Sequence, residues 1–205
     1  MKVDWSRINL SDAFWFQEGP GVRTSQFTSA GIKLLNVSNI TRGGELNLAN
    51  SSRYLSLQEV ASKYKHFMVD AGDLVIASSG ISFDTDELLR TRGAFVREQH
   101  LPLVLNTSTV RFKPIVDKSD LRFLRHWLQS YEFRVQISRM VTSSAQQNFG
   151  PSHLKSIGIS LPPLPEQKRI ATILDQAEAL QAKRRQALAK LDTLTQSLFL
   201  ENIWQ

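Results

Sequence analysis

The feature that most constrains the fold of this chain is a long apolar stripe near its C-terminal end. No proline or glycine occurs from Glu166 to about Leu200, and apolar side chains recur there at alternating spacings of three and four residues. This spacing is typical of a helix that pairs with another helix along a heptad seam. The predicted seam consists of Ile170, Ile173, Ala177, Leu180, Arg184, Ala187, Leu191, Leu194 and Leu198.

The predicted helix is too long to be covered by one small domain. At ~1.5 Å per residue it measures roughly 50 Å, and an unpartnered helix gains little stability from propensity alone. The length therefore favours a coiled coil, whereas the spacing alone equally fits an ordinary core helix or a general dimerisation helix. Arg184, the polar interruption, either fixes the register or antiparallel direction of the pair or lies where the helices splay apart.

Three prolines in the stretch Leu161-Pro162-Pro163-Leu164-Pro165 divide the chain in two. Because proline stops a preceding strand and restricts the residue before it, this stretch predicts an extended connector. We therefore expect one domain over residues 1–162 and the long helix over residues 163–205. Mixed strand and helix patterns predict an α+β fold for the first domain.

Local patterns within the first domain predict individual elements. A helix is expected over residues 120–137, capped by Ser119 or Asp120. Gly43-Gly44 and Ala71-Gly72-Asp73 indicate turns, and Pro151 suits the first turn of a short helix. The helix face is Leu121, Leu124, Leu128, Tyr131 and Val135, and strands are expected at residues 32–37, 73–77, 109–112 and 157–161.

The charge balance favours a polyanionic partner, although net charge alone is weak evidence for DNA. The formal net charge is +6, and clustered cations gain free energy by releasing counterions from phosphates. Cysteine is absent, which excludes disulfides and thiolate metal sites, and no apolar run reaches the length of a membrane span. We expect a cytoplasmic protein with no membrane partner.

Searches for catalytic patterns are negative. Glu18-Gly19-Pro20-Gly21 superficially resembles a cofactor-binding glycine turn, but it follows no convincing strand and opens no helix. The base-holding Pro-Pro element of an amino-methyltransferase, a nucleotide-binding Gly-Lys-Ser or Gly-Lys-Thr loop and a paired-carboxylate nuclease cluster are also missing. The histidines, which are His66, His100, His126 and His153, lack metal-ligand spacing. We predict neither a catalytic residue nor a metal site.

What remains is a set of loop-like stretches rich in arginine, hydroxyl and amide side chains. Arginine reads guanine and asparagine or glutamine reads adenine by paired hydrogen bonds, whereas serine and threonine more often hold phosphate. For each residue the alternative is an ordinary solvated loop side chain. The predicted DNA contacts are Arg23, Thr24, Ser25, Asn36, Ser38, Asn39, Arg42, Ser79, Arg92, Arg97, Gln146, Gln147 and Asn148.

The residues from Ser143 onward resemble the specificity subunits of type I restriction-modification systems. Ser144-Ala145-Gln146-Gln147-Asn148-Phe149, Leu154-Lys155-Ser156-Ile157 and Leu161-Pro162-Pro163-Leu164-Pro165-Glu166-Gln167-Lys168-Arg169-Ile170-Ala171 are similar to that family's junction between recognition domain and conserved helix. Leu174-Asp175 and residues 191–199 continue the similarity, and residues 31–40, 71–76 and 79–80 resemble earlier family elements. The recognition loops are the least similar part, so no base contact is carried over.

The resemblance implies a non-catalytic subunit, a target recognition domain followed by a spacer helix, that reads double-stranded DNA. In that family each recognition domain binds one half of an interrupted target, and the conserved helices pair antiparallel and set the distance between the halves. A methyltransferase subunit and a restriction subunit are the implied partners. S-adenosylmethionine, ATP and Mg are expected only in those partners. The alternatives are a stand-alone DNA methyltransferase or nuclease, and a coiled-coil assembly protein that does not read DNA.

The size of the chain departs from the family pattern. Such subunits normally hold two recognition domains and two helices, whereas this chain has one of each. It is therefore either a natural half-subunit or a fragment of a longer protein. A half-subunit is expected to form a symmetric homodimer through the seam and to read a palindromic interrupted site. A fragment either dimerises in the same way or stays a weakly associated monomer.

Overall fold

A computed structural model describes residues 5–86, 88–141 and 148–203. It confirms a mixed α/β domain followed by one long C-terminal helix. The strands are β1 (Ser6–Asn9), β2 (Phe14–Glu18), β3 (Ile32–Leu35), β4 (Tyr54–Leu55), β5 (Leu74–Ala77), β6 (Ser82–Phe83), β7 (Leu89–Arg90), β8 (Gly93–Phe95), β9 (Leu103–Leu105), β10 (Thr109–Pro114) and β11 (Gly158–Leu161). The helices are α1 (Leu10–Ala13), α2 (Leu57–Glu59), α3 (Leu121–Trp127), α4 (Tyr131–Met140), α5 (Pro151–Lys155) and α6 (Leu164–Ile203).

A four-stranded antiparallel sheet lies at the centre of the domain, in the order β2-β10-β5-β8. Strand β5 is a continuous apolar run, and all four of its side chains are buried. Leu74 and Ile76 face one core cluster while Val75 and Ala77 face another, as the two-residue period of a strand requires. The sheet is therefore covered on both faces.

Helices cover one face of this sheet, and a second sheet covers the other. The helical layer contributes Phe123, Trp127 and Phe133 to the same core cluster as Leu74. The second sheet has the order β4-β3-β9, with β3 and β9 parallel. This layering of helices, sheet and sheet buries both faces of the central sheet and the apolar faces of the helices and second sheet that pack on it, as a stable domain requires.

The helix predicted over residues 120–137 is in fact two helices. Asp120 caps α3, as predicted, by accepting hydrogen bonds from the backbone N–H groups of Arg122 and Phe123. Helix α3 ends at Trp127, and the Ser130 hydroxyl then accepts from the N–H of Phe133 to start α4. The break changes the phase of the apolar face, so Tyr131 is 74% exposed and Phe133 is buried instead.

The remaining local expectations have mixed outcomes. The turns at Gly43-Gly44 and Gly72 form, with positive φ at Gly44 and Gly72, and Pro151 opens α5. The expectation that no strand precedes Gly19 is wrong, because β2 ends at Glu18. That strand alternates incompletely between apolar and polar side chains, which hid it from the sequence pattern. Only a short 3-10 turn, Thr24–Gln26, follows it.

The last strand, β11, pairs with β1 and closes the domain immediately before α6. Helix α6 has 40 residues and is about 60 Å long at 1.5 Å per residue. Its first turns pack on α3, and every side chain from residue 176 to 197 is exposed. Among the described residues, no helix is long and apolar enough to cross a membrane.

Candidate nucleic-acid interface

Several loops meet at one edge of the two sheets because of the strand directions. Both β2 and β5 run antiparallel to β10, so they end where β10 begins, and β9 leads directly into β10. The N–H of Thr107 donates to the carbonyl of Pro20 at 3.1 Å, and the N–H of Ser78 donates to the carbonyl of Ser108 at 3.0 Å. We call this set of loops, residues 19–20, 36–38, 50–53, 78–80 and 106–108, the loop edge.

The loop edge contains an open polar cleft of about 640 Å³. Its lining consists of Asn36, Val37, Ser38, Ala49, Asn50, Ser51, Ser52, Arg53, Asn106 and Ser108. No carboxylate occurs among these residues, and Arg53 is their single cation. The cleft therefore presents amides, hydroxyls and one positive charge, which suit a negatively charged or strongly polar ligand.

Close backbone approach holds the cleft walls together. A Cβ atom on Gly19 would lie 2.4 Å from the backbone of Asn106, so only glycine fits there. The Asn106 side chain in turn donates from Nδ2 to the Asn36 Oδ1 at 2.7 Å. Loops that are far apart in sequence are thus fixed against one another.

Some of the predicted DNA contacts lie at or beside the loop edge. Asn36 and Ser38 line the cleft, and Ser79 lies in the adjacent loop, whose Gly80 approaches Val37. Asn148 precedes Phe149, whose N–H donates to the Ser78 carbonyl at 2.9 Å. Arg92 lies at the same end of β5, because its carbonyl accepts from the N–H of Ala77.

The other predicted contacts do not line the cleft. Arg23, Thr24 and Ser25 form an exposed turn that Gln26 ties to Glu59 and Tyr64. The turn that carries Arg42 includes Gly44, which approaches Arg125, and Arg97 follows the far end of β8. Asn39 is fully buried and donates to the Asn47 carbonyl at 3.0 Å, which gives it a structural role. Gln146 and Gln147 lie outside the described residues.

Sequence reasoning missed most of the cleft, because only Asn36 and Ser38 of its ten lining residues were predicted. Asn50, Ser52, Arg53, Asn106 and Ser108 line it but were not among the predicted contacts. The one available signal was the position of Asn106 directly after the apolar run Leu103-Val104-Leu105, at the end of a strand. Using that signal would have required the strand order, because only the topology brings the ends of β3 and β9 together.

The start of α6 is anchored in the domain by Gln167. Its side chain is fully buried, accepts from the Asp120 N–H at 2.9 Å, and donates to the carbonyls of Lys118 and Pro162 at 3.0 and 2.8 Å. Among uncharged side-chain groups, only an amide can donate two hydrogen bonds and accept another in this way. This requirement explains the glutamine that follows Pro165-Glu166 at the helix entrance.

Ion pairs extend the anchor along the next turns of α6. Arg122 Nε donates to Asp175 Oδ2 at 2.7 Å, and Arg125 Nη2 donates to Glu178 Oε2 at 2.7 Å. Burial favours a higher pKa for Asp175, but hydrogen bonds from His126 and Arg122 outweigh it and hold the pKa below its ordinary value. The direction in which α6 leaves the domain is thus set by charged contacts with α3.

His126, Asp175 and Glu178 also bring three potential metal ligands within 4.8 Å of one another. The guanidinium groups of Arg122 and Arg125 already pair with both carboxylates, and their positive charge opposes a bound cation. We therefore interpret the cluster as an ion-pair network. The sequence prediction of no metal site stays a prediction.

Beyond the anchor, the predicted seam lies on the surface. Ile173 is 50% exposed, Leu180 66%, Leu191 58% and Leu194 54%, whereas Ile170 packs partly against the domain core. The remaining predicted seam side chains, Ala177, Arg184 and Ala187, are exposed, and the Leu198 side chain is outside the described part of the chain. Leu174, Leu188 and Phe199 form a neighbouring exposed line that the heptad template missed. So much exposed apolar surface along one helix is typical of an interaction site.

Comparisons with known proteins agree on one family. The model of the type I restriction modification DNA specificity domain matches residues 2–191. The MjaVIII specificity subunit of Methanocaldococcus jannaschii is 26% identical over 194 residues, which are 89% of this chain and 42% of that protein. The EcoAI specificity subunit of Escherichia coli is 25% identical over 173 residues, 84% of this chain and 28% of that protein.

A solved structure shows the same fold. The HsdS subunit of Thermoanaerobacter tengcongensis superposes with a TM-score of 0.62 at 17% identity, over 91% of this chain and 40% of that one. This chain thus spans less than half the length of each of these proteins. The family model, which covers most of the chain, carries the conclusion: the chain belongs to the type I restriction-modification DNA specificity family.

Proposed function

We propose that this chain reads one half of a bipartite DNA target through the loop edge, and that α6 pairs antiparallel with α6 of a second copy. The observation that carries the proposal is the helix itself, which is anchored firmly at Gln167 yet projects with its apolar side chains exposed from residue 176 onward. At about 60 Å it exceeds the ~34 Å of one duplex turn. A pair of such helices would hold two loop edges on separated half-sites.

We also propose that the chain performs no chemistry itself. Its bound DNA would be presented to a methyltransferase subunit that uses S-adenosylmethionine, and in the full complex to a restriction subunit that uses ATP and Mg. The names of the curated relatives place them in restriction enzymes, which supports this division of labour. The surface of α6 that the second copy leaves uncovered is the simplest docking place for a partner.

Binding of the full chain to a fluorescein-labelled duplex of random sequence tests whether the chain contacts DNA phosphates, the part of DNA recognition that does not depend on sequence. We expect the logarithm of the association constant to fall linearly with the logarithm of salt concentration, with a slope of about −0.9 for each phosphate contact. We also expect no methyl transfer when the chain alone receives this duplex and S-adenosylmethionine. Absence of salt-dependent binding would contradict DNA reading, and base methylation would favour a stand-alone methyltransferase.

A further inference from the structure

Arg53 at the mouth of the cleft is held in place but not neutralised. Its Nη1 donates to the Asn36 Oδ1 at 3.4 Å, and its guanidinium carbon lies 5.2 Å from the centroid of the Phe27 ring. Among the described residues it forms no ion pair, and its Nε and Nη2 atoms make no hydrogen bond. The side chain therefore keeps donors and a full charge for a ligand while its position is restricted from two sides.

Asn36 holds Arg53 and has no capacity left for a base. Its Nδ2 donates to the Leu34 carbonyl and the Ser51 hydroxyl, both at 2.9 Å. Its Oδ1 accepts from Asn106 and Arg53, which uses both lone pairs. Asn36 is only 6% exposed. The geometry thus makes it a positioning residue rather than the base contact that its sequence position suggested.

The rest of the lining offers neutral donors around this fixed charge. Ser38 and Ser52 bring hydroxyls to the cleft lining, and no carboxylate lines the cleft to repel an anion. The Ser108 hydroxyl already donates to Asn106 Oδ1, so it offers a ligand no further donor. Arginine with neighbouring hydroxyls is the combination that proteins use to hold the phosphates of a nucleic acid, and such contacts fix position rather than read sequence.

We propose that the cleft holds a phosphate of the DNA backbone, with Arg53 as its charged ligand and Asn36 and Phe27 as the groups that position Arg53. The proposal rests on the proposed function of DNA reading and specifies where the duplex backbone sits. It assigns to Arg53 a sequence-independent role, so base reading falls to other residues of the loop edge.

The test compares Arg53→Gln with Lys118→Gln in the full chain, using the fluorescein-labelled duplex of random sequence. Both substitutions remove one exposed positive charge, but Lys118 follows the far end of β10, opposite the loop edge. We expect Arg53→Gln to weaken binding about tenfold at low salt and to reduce the salt slope by about one, whereas Lys118→Gln changes neither appreciably. Thermal unfolding of both variants checks that the fold is kept. We expect unchanged melting temperatures, because the side chains of Arg53 and Lys118 are both exposed.

Each outcome has a separate meaning. Equal binding by Arg53→Gln and the unsubstituted chain would overturn the phosphate site while leaving DNA reading intact. An equal loss in both variants would trace the effect to net charge and would also overturn the site. If the unsubstituted chain shows no salt-dependent binding, the proposed function and the site both fail.

Discussion

Replacing Arg111 by methionine is expected to lower the free energy of unfolding by about 3–5 kcal/mol, because it breaks a buried ion pair from one side. Arg111 and Asp73 are 7% and 4% exposed, and their charged atoms lie 3.6 Å apart. The guanidinium also donates to the Gln17 amide oxygen at 2.8 Å and to the carbonyls of His66 and Met68. Methionine leaves these acceptors without their donor inside the protein.

The measurement is thermal or denaturant unfolding beside a matched variant, Lys113→Met. Lys113 contacts the other oxygen of Asp73 at 3.3 Å, but its side chain is 35% exposed, so its loss should cost only about 0–1 kcal/mol. For a domain of this size the Arg111 variant should lose roughly 10 °C in melting temperature. Equal effects of the two substitutions would show that burial does not decide the strength of this network.

Replacing both Leu180 and Leu191 by glutamate is expected to abolish self-association of the chain. Each leucine is more than half exposed in the single chain and lies on the predicted seam, so pairing of α6 with a second copy would bury both. A pair of chains would lose four leucines, and at only about 1 kcal/mol for each of them the dissociation constant should rise by roughly a thousandfold or more. Light scattering across a concentration series reports the change in mass.

The matched control carries Gln186→Glu and Thr193→Glu, which add the same charges to the other side of the helix. It should keep the mass of the unsubstituted chain. Thermal stability of the domain should be the same in both variants, because the four substituted side chains are all exposed. A dimer that survives the leucine substitutions would place the interface away from the seam, and a chain that is monomeric without substitutions would contradict pairing with a second copy.

The long helix and the buried strands were predictable because a single local period describes each of them. Strands β3, β5, β10 and β11 all lie within or across the predicted ranges. Helix α6 begins at Leu164, so the connector expected over the whole proline stretch is only Pro162-Pro163, and Pro165 lies in the first turn of the helix. The break before Ser130 was not predictable from the apolar period, which continues through it. A serine that caps a helix and a serine on a helix surface look alike until the backbone is known.

The cleft was the least predictable feature because it depends on strand order. Asn36 and Asn106 are far apart in the sequence and meet because β3 and β9 run parallel and end together. Arg53 reaches Asn36 because β4, which it precedes, begins beside the end of β3. The side-chain chemistry of Asn36 was recognised, but whether an asparagine reads a base or supports an arginine depends on its neighbours. The same holds for Asn39, whose burial excludes it from the surface.

Selection of bound sequences from a pool of duplexes with random sequence tests the central claim most directly. The full chain is mixed with the pool, bound duplexes are recovered and amplified over several rounds, and the products are sequenced. Reading of one half-site per domain by a pair of chains predicts a palindromic target in which two short conserved blocks are separated by a spacer of fixed length and free sequence. Recovery of no enriched sequence would contradict DNA reading by this chain, and a single uninterrupted block would contradict the pairing of two domains through α6.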